Sequence, residues 1–524
     1  MSEAPHNILR HLQMQAQRVV EKPALLYREE ALSFGALWAE VEALAADYAR
    51  RGIRPVHRVL VFVPMSVDLY RAVLALLYLG ATPVFLDQWA SFSRLRTAAR
   101  LADCRGAVLT SKLRWVAWLI PELRRLRVRL SPKRVRRSPK RFGGGREVLA
   151  KAELCDVDAE ASALITFTTG STGVPKAADR SHALLDAQLA ALRPLLLPEE
   201  ELTDATLLPI VLLLNLAIGR TSLIPDVDFR RPARFDPSAL QREMLRHGIS
   251  SLTGSPHYCL ELARVAGPAL RGQLKRLICG GAPVFPDQAA LIDAGLPDTR
   301  ATVVYGSTEA EPISHVGMGE LARWSRAEAL PGGLPVGKVD ERTTVAVVPY
   351  REGAWPRLSA EDFAGARLAE GEVGELVVAG AHVLARYFRN EEGLRQNKLY
   401  VGEEVWHRTG DAGAVRGGRV RLYGRCSATV EVGGRRHHPF LIEYALRRLE
   451  GVAAGALVEG AGGVVVAYVE EEGHEAAAVG ARVAAWAGAE GLSAATLVPL
   501  RALPLDVRHH GKVDYAALRR VVGS

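Results

Sequence analysis

The stretch Leu164-Ile-Thr-Phe-Thr-Thr-Gly-Ser-Thr-Gly-Val-Pro-Lys-Ala177 constrains this 524-residue chain more than any other. An apolar run of strand character passes directly into Thr168, Thr169, Gly170, Ser171, Thr172 and Gly173, followed by Lys176. Glycine reaches positive φ without a Cβ clash, so backbone N–H groups can close around an anion. The hydroxyls add donors and the lysine adds charge, which together suit a polyphosphate. The spacing is G-x-x-G-x-x-K, so this is not the G-x-x-x-x-G-K-[ST] loop. A plain hydroxyl-rich turn after a strand is the bland alternative.

Around that loop the chain alternates between two periodicities. Leu32 to Arg51 carries apolar residues at helical spacing behind a capping Ser33, and Leu69 to Leu79 repeats the pattern. Short apolar runs at Arg58–Pro64, Thr82–Asp87, Gly106–Thr110, Gly248–Thr253, Arg276–Cys279 and Ala301–Tyr305 predict buried strands. Strand–helix alternation argues for parallel sheets covered on both faces. Beyond Pro331 short strands between Gly-rich turns (Val345–Pro349, Gly374–Gly380, Arg419–Tyr423) predict a barrel-like subdomain. A helix over Pro439–Leu449 and a closing helix after Asp514 lie past a boundary near Arg425-Cys-Ser427. The expected architecture is α/β: a large N-terminal domain, residues 1–424, of doubly wound sheets plus a small β-barrel-like subdomain, and a small α+β C-terminal domain, residues 425–524. The longest apolar run, Leu207–Gly219, is too short for a bilayer crossing of ~20 residues and reads as a buried strand and loop.

The net charge of +9 is local. Ten Lys/Arg and no acid lie between Arg124 and Arg141, and the rest of the chain is near neutral. A solvated basic loop is the simple reading, and a peripheral membrane contact through Arg124–Arg141 is the functional one. No nucleic-acid motif accompanies the run, so a nucleic-acid partner is not expected. The five cysteines are far apart, which argues against a disulfide framework or zinc site. With no secretory signal at the start, the expectation is a cytoplasmic protein.

Further segments follow the loop in a telling order: Gly280-Gly281-Ala282, Tyr305-Gly306-Ser307-Thr308-Glu309, Thr409-Gly-Asp411, Gly424-Arg425 and Gly511-Lys512-Val-Asp514. With the loop, this set resembles the AMP-forming acyl-adenylating superfamily of acyl-CoA synthetases, peptide-synthetase adenylation domains and luciferases. The resemblance covers nearly the whole chain and implies ATP and Mg²⁺ as cofactors. It implies that residues 168–173 and Lys176 hold phosphate and that Gly280, Gly281 and Ala282 contact adenine. Tyr305 would lie against adenine, with Gly306 and Ser307 beside it and Thr308 on phosphate. Glu309 would help hold the metal. Asp411 would accept the ribose hydroxyls, Arg425 would sit at the hinge, and Lys512 would be the adenylation lysine on a mobile C-terminal domain. Elementary chemistry agrees on Lys512, because attack of a carboxylate on the α-phosphorus of ATP joins two anions and needs a cation at the transition state.

What accepts the acyl group is left open. The hinge continues as Cys426-Ser-Ala-Thr429-Val430-Glu431, where relatives have an acidic residue and a Lys–Gly pattern. The aliphatic Leu207–Asn215 suits an apolar, fatty acid, and no aspartate stands ready for an amino group. Transfer to CoA or a carrier-protein thiol is the leading expectation. The phrases Leu503-Pro-Leu-Asp-Val-Arg-His-His-Gly-Lys512, Leu223-Ile-Pro-Asp226, Phe235-Asp-Pro237 and Tyr305–Pro312 are also similar to the branch holding β-lactone synthetases of bacterial olefin pathways, where the substrate's own hydroxyl displaces AMP. A third expectation is an adenylate-binding homologue without catalysis. The pairs His437–His438 and His509–His510 read as exposed polar residues.

Overall fold

The computed structural model describes residues 6–86, 92–111, 120–133, 153–168, 176–197, 201–326, 329–460, 462–506 and 511–523. The chain divides into two compact units. One comprises Met1–Thr253, Gly272–Lys275 and Ala381–Leu394; the other comprises Gly254–Arg271, Arg276–Gly380 and Arg395–Ser524.

The first unit contains two sets of strands. β1 (Pro23–Tyr27) and β2 (Glu30–Ser33) form a hairpin, and β3 (Arg58–Phe62), β4 (Thr82–Phe85), β5 (Gly106–Leu109), β6 (Val128–Leu130), β7 (Ser162–Thr168) and β8 (Lys176–Ser181) form a sheet ordered β6-β5-β3-β4-β7-β8. All neighbours in that sheet run parallel except β7 and β8. β9 (Asp204–Thr206), β10 (Ser222–Leu223) and β11 (Ser251–Gly254) line up with the hairpin as β11-β9-β10-β1-β2. The helix Phe34–Arg50 starts where the periodicity says, with the Ser33 hydroxyl accepting from the Ala36 N–H. Helix Val67–Tyr78 is apolar nearly all round and nearly all buried, as a helix wrapped by core must be.

Three expectations change here. Leu207–Gly219 is not a strand and loop: Pro209–Ala217 is a helix. Pro209 stands in its first turn, where a fixed φ and a missing N–H cost nothing. Gly219 ends it at φ +77°, with Arg220 N–H bonded to Asn215 C=O and Gly219 N–H to Leu216 C=O, a Schellman closure that needs the glycine. The basic run is also more than a loop, since Arg124 closes the helix Pro121–Arg124 and Arg129 lies within β6; residues 134–141 fall outside the described residues. His437 is buried in a strand and His438 is half-buried against Thr429 and Tyr423, so that pair is not exposed. His509 and His510 lie outside the described residues.

In the second unit β12 (Arg276–Gly280), β13 (Arg300–Ser307), β14 (Ala310–Gly317), β15 (Leu334–Val339), β16 (Thr344–Val348), β17 (Gly374–Ala379), β18 (Lys398–Val401), β19 (Glu404–Arg416) and β20 (Arg419–Arg425) form a sheet ordered β16-β17-β19-β20-β15-β14-β13-β12, with β18 on β19. Only β12 and β13 pair in parallel among these strands. Three strands separate β13 from β19, which in a flat sheet means a gap of about 19 Å. Yet the Tyr305 hydroxyl on β13 bonds Asp411 on β19 at 2.8 Å. The sheet therefore curls hard, giving the expected barrel-like form.

The C-terminal part of this unit has a hairpin, β21 (Val430–Val432) with β22 (Arg435–His437), and a sheet of β23 (Val452–Gly460), β24 (Gly463–Glu470) and β25 (Thr496–Leu500). Helices Pro439–Arg447 and Ala476–Ala489 pack on it through Ile442, Leu446, Val479 and Val483. Helix Tyr515–Val522 buries Leu518 on the sheet. Tyr444 stacks on Phe285 and donates to Trp324 C=O at 3.2 Å, and Arg447 pairs with Asp287 at 2.7 Å.

Candidate active site

In the first unit the phosphate-type loop connects the antiparallel neighbours β7 and β8, with Thr168 in register with Lys176. Lys176 opens β8 and is 7% exposed. Residues 381–394 brace this strand: Ala178 bridges to Tyr387, Phe388 N–H donates to Ala177 C=O, and Arg386 pairs with Asp179 at 2.9 Å. Thr169, Gly170, Ser171, Thr172 and Gly173 lie outside the described residues.

Five of the predicted segments fall in the second unit. Gly280 closes β12 opposite Val304 of β13, so Gly280-Gly281-Ala282 leaves the sheet beside Tyr305. Gly306 and Ser307 complete β13, and Thr308 and Glu309 are the two turn residues of a tight hairpin, since Ser307 pairs with Ala310. The Glu309 N–H donates to the Ser307 hydroxyl at 3.3 Å, which sets the direction of the turn.

Asp411 lies inside the long strand β19 rather than after a turn, with Gly410 at φ +71° bending the strand beside it. Arg425, at the end of β20, is its direct cross-strand partner. The guanidinium reaches Asp411 Oδ1 at 3.3 Å and Thr409 C=O at 2.6 Å, while Tyr305 donates to Oδ2 at 2.8 Å. Burial and the adjacent carboxylate push the Tyr305 phenol well above its usual range, and Asp411 raises Arg425 further. The phenol therefore stays a donor and the guanidinium stays charged. A carboxylate has about four lone-pair sites, so Asp411 keeps one per oxygen for a vicinal diol.

Sequence reasoning missed the buried ion pair next to the Thr409-Gly-Asp411 segment. Arg408 is 5% exposed and Glu375 2% exposed. The Arg408 guanidinium meets Glu375 at 2.7 and 3.1 Å and also the carbonyls of Arg351, Gly353 and Gln396. Every arm of the fork is occupied, as a buried arginine requires. Arg408 adjoins Thr409, whose hydroxyl accepts from Asp411 N–H. That adjacency was the available signal; the partner Glu375 had none.

Lys512 lies in a short bridged loop. Leu505 pairs with Val513, and Asp506 Oδ1 accepts from the N–H groups of Gly511 and Lys512 at 3.3 and 3.1 Å. Among the described residues no three His, Cys, Asp or Glu side chains gather to hold a metal, and no helix is long and apolar enough to cross a membrane. A lone Glu309 at a turn still fits Mg²⁺, which takes few protein ligands when phosphate oxygens and water complete its octahedron.

Tyr305 and Arg425 thus hold the Asp411 carboxylate in one orientation where the sheet curls. Residues 12–388 match the AMP-binding enzyme family, and the chain belongs to it. It is 32% identical over 508 residues to the olefin β-lactone synthetase of Stenotrophomonas maltophilia, covering 92% of this chain and 89% of that protein. The enzyme of the same name from Xanthomonas campestris pv. campestris is 32% identical over 419 residues, 76% of this chain and 73% of that protein. The fold matches an amide bond synthetase from Marinactinospora thermotolerans at TM-score 0.78 and 22% identity, across 98% of this chain and 99% of that one. The α/β architecture and the acyl-adenylating superfamily expected from the motifs are both present.

Proposed function

We propose that this protein uses ATP to convert a β-hydroxy carboxylic acid with an apolar chain into its acyl-adenylate, and then closes that intermediate to a β-lactone. A carboxylate oxygen bonds to the α-phosphorus as the bond to the β-phosphoryl oxygen breaks, releasing pyrophosphate. The substrate's own hydroxyl oxygen then bonds to the acyl carbon, its proton leaves, and AMP departs. Overall the acid loses one water.

The observation that carries this reading is the 32% identity shared with β-lactone synthetases along most of both chains. In this reading Asp411 holds the ribose, Tyr305 and residues 280–282 hold adenine, and residues 168–173 with Lys176 and Thr308 hold phosphate. Lys512, on a cap of residues 425–524 hinged at Arg425–Ser427, neutralises charge where carboxylate and phosphate meet. Mg²⁺ on Glu309 would supply further charge neutralisation on the phosphates. An apolar acyl chain is favoured by the aliphatic helix 209–217, where Ile210 and Leu213 stay partly exposed.

Mass spectrometry on protein incubated with ATP and Mg²⁺ tests it, using paired 3-hydroxy and unsubstituted fatty acids with and without CoA. The expected product is one water lighter than the 3-hydroxy acid, forms without CoA, and accompanies AMP and pyrophosphate. A thioester that needs CoA would instead establish transfer to a thiol. No acid-dependent pyrophosphate exchange with any acid would leave adenylate binding alone.

A further inference from the structure

Lys512 is the residue on which the proposed chemistry turns, and its backbone is fixed from both sides. Upstream, Asp506 accepts from the N–H groups of residues 511 and 512, and Asp506 N–H donates to Lys512 C=O at 2.8 Å. Downstream, Asp514 N–H donates to Pro504 C=O, and the Asp514 carboxylate caps helix Tyr515–Val522 through Ala517 N–H at 2.9 Å. The loop and the first turn of that helix thus form one stiff piece.

This piece packs on the sheet through Leu518, Val513 and Val522, and polar bonds add a direction to that contact. Tyr515, the first residue of the helix, donates its hydroxyl to Glu443 Oε1 at 2.7 Å. Glu443 lies on helix Pro439–Arg447, is 7% exposed, and has Arg447 as its nearby counter-charge. Four residues beyond Tyr515, Arg519 donates to Ser427 C=O at 3.1 Å, at the hinge. A buried carboxylate is a costly way to pack two helices, and a leucine would fill the space at lower cost. Its return is direction: a short bond to a charged acceptor fixes rotation about the helix axis, which apolar contact leaves loose.

We propose that Glu443, acting through the Tyr515 hydroxyl, is a positioning residue that sets the orientation of Lys512 for adenylate formation. Tyr515 is three residues from Lys512, so rotation of the helix start carries the lysine with it. Errors near 1 Å in a reacting group cost on the order of a hundredfold in rate. This inference rests on the reading of Lys512 as the adenylation lysine.

The test compares acid-dependent ATP–pyrophosphate exchange in Lys512→Ala, Tyr515→Phe, Glu443→Leu and Glu443→Gln, with thermal melting of each protein. The expected result is abolition in Lys512→Ala and a kcat lower by about tenfold or more in Tyr515→Phe and Glu443→Leu. KM for ATP stays within about twofold in both variants. Glu443→Gln, whose amide oxygen still accepts from Tyr515, keeps kcat within about threefold of the parent. Parental kcat in folded Tyr515→Phe and Glu443→Leu would overturn the positioning role, as would a loss of rate that only tracks the folded fraction. Full exchange in Lys512→Ala would instead overturn the assignment of the lysine.

Discussion

Asp411 and Arg425 face one another across β19 and β20, and Tyr305 reaches the same carboxylate from a strand four places away in the sheet. The curl of the sheet and the polar site are therefore one feature, because the hydrogen bond exists only where the sheet closes. The phenol and guanidinium each take one oxygen of Asp411 and hold the carboxylate plane still. Under the proposed function, an acceptor held this way takes the ribose diol without first losing side-chain entropy.

Under the proposed function Asp411→Asn replaces one acceptor oxygen by a donor. Bonds to charged groups are worth about 1.5–3 kcal/mol, so KM for ATP is expected to rise roughly ten- to a hundredfold. Tyr305→Phe removes a single bond to the carboxylate and raises it by a smaller factor. Initial-rate kinetics decide the matter, and an unchanged KM in Asp411→Asn would remove the ribose role.

The buried pair of Arg408 and Glu375 predicts a stability effect. Removing one partner leaves an uncompensated charge inside the sheet, at a cost of about 3–5 kcal/mol. Arg408→Met is expected to lose about that much in urea unfolding. Arg408→Lys should recover little of it, because an ammonium cannot reach Glu375 and three carbonyls in the planar fork geometry. A lysine variant as stable as the parent would contradict the account.

Glu443 predicts a dependence on pH. Burial lifts its carboxyl from 4.5 up to about 7, against the pull of Tyr515 and Arg447. A folded pKa above the unfolded one means the contribution to stability is fully present below pH 4.5 and is lost as pH rises through 7. Glu443→Gln carries no such titration. Relative to the parent it should gain on the order of 1–3 kcal/mol between pH 4.5 and 8. Urea midpoints measured at both ends check this, and a parallel pH response in the two proteins would refute it.

Most of the scaffold was readable because strand and helix periodicities, caps and turns agree locally, as at Ser33 and along Arg58–Phe62. The helix at Pro209–Ala217 escaped notice because an all-apolar run has no period, although Pro209 and Gly219 marked its ends. Asn215 is the one amide in the otherwise aliphatic run Leu207–Asn215. Its amide donates to Asp204, Thr206 and Ser222 within a buried cluster that also takes in Ser251 and Thr253. That cluster joins residues nearly fifty positions apart, and no local pattern signals such pairing. The same holds for Glu375 and Glu443: the motifs mark Tyr305, Asp411 and Lys512, while the buried groups behind them come from distant sequence.

Under the proposed function Gly424 borders the hinge of the cap. Gly424 has φ +109°, a region closed to residues with a side chain, and a Cβ there would lie 2.7 Å from Cβ of Pro439. Pro439 begins helix Pro439–Arg447, and its ring cannot turn aside as a flexible chain would. Gly424→Ala must therefore push the helix away or change the hinge backbone, and the strain alone costs about 1–3 kcal/mol. Glu443, and through it Tyr515 and Lys512, ride on that helix. Gly424 pairs with Ala412 beside Asp411, but the Asp411 carboxylate keeps Tyr305 as a second anchor on β13, so the larger displacement falls on the helix. Pyrophosphate exchange should then fall at least tenfold, while AMP affinity measured by calorimetry stays within about threefold. Equal losses in both would mean that the substitution damages the nucleotide site itself, and that the helix after Gly424 does not carry the lysine's alignment.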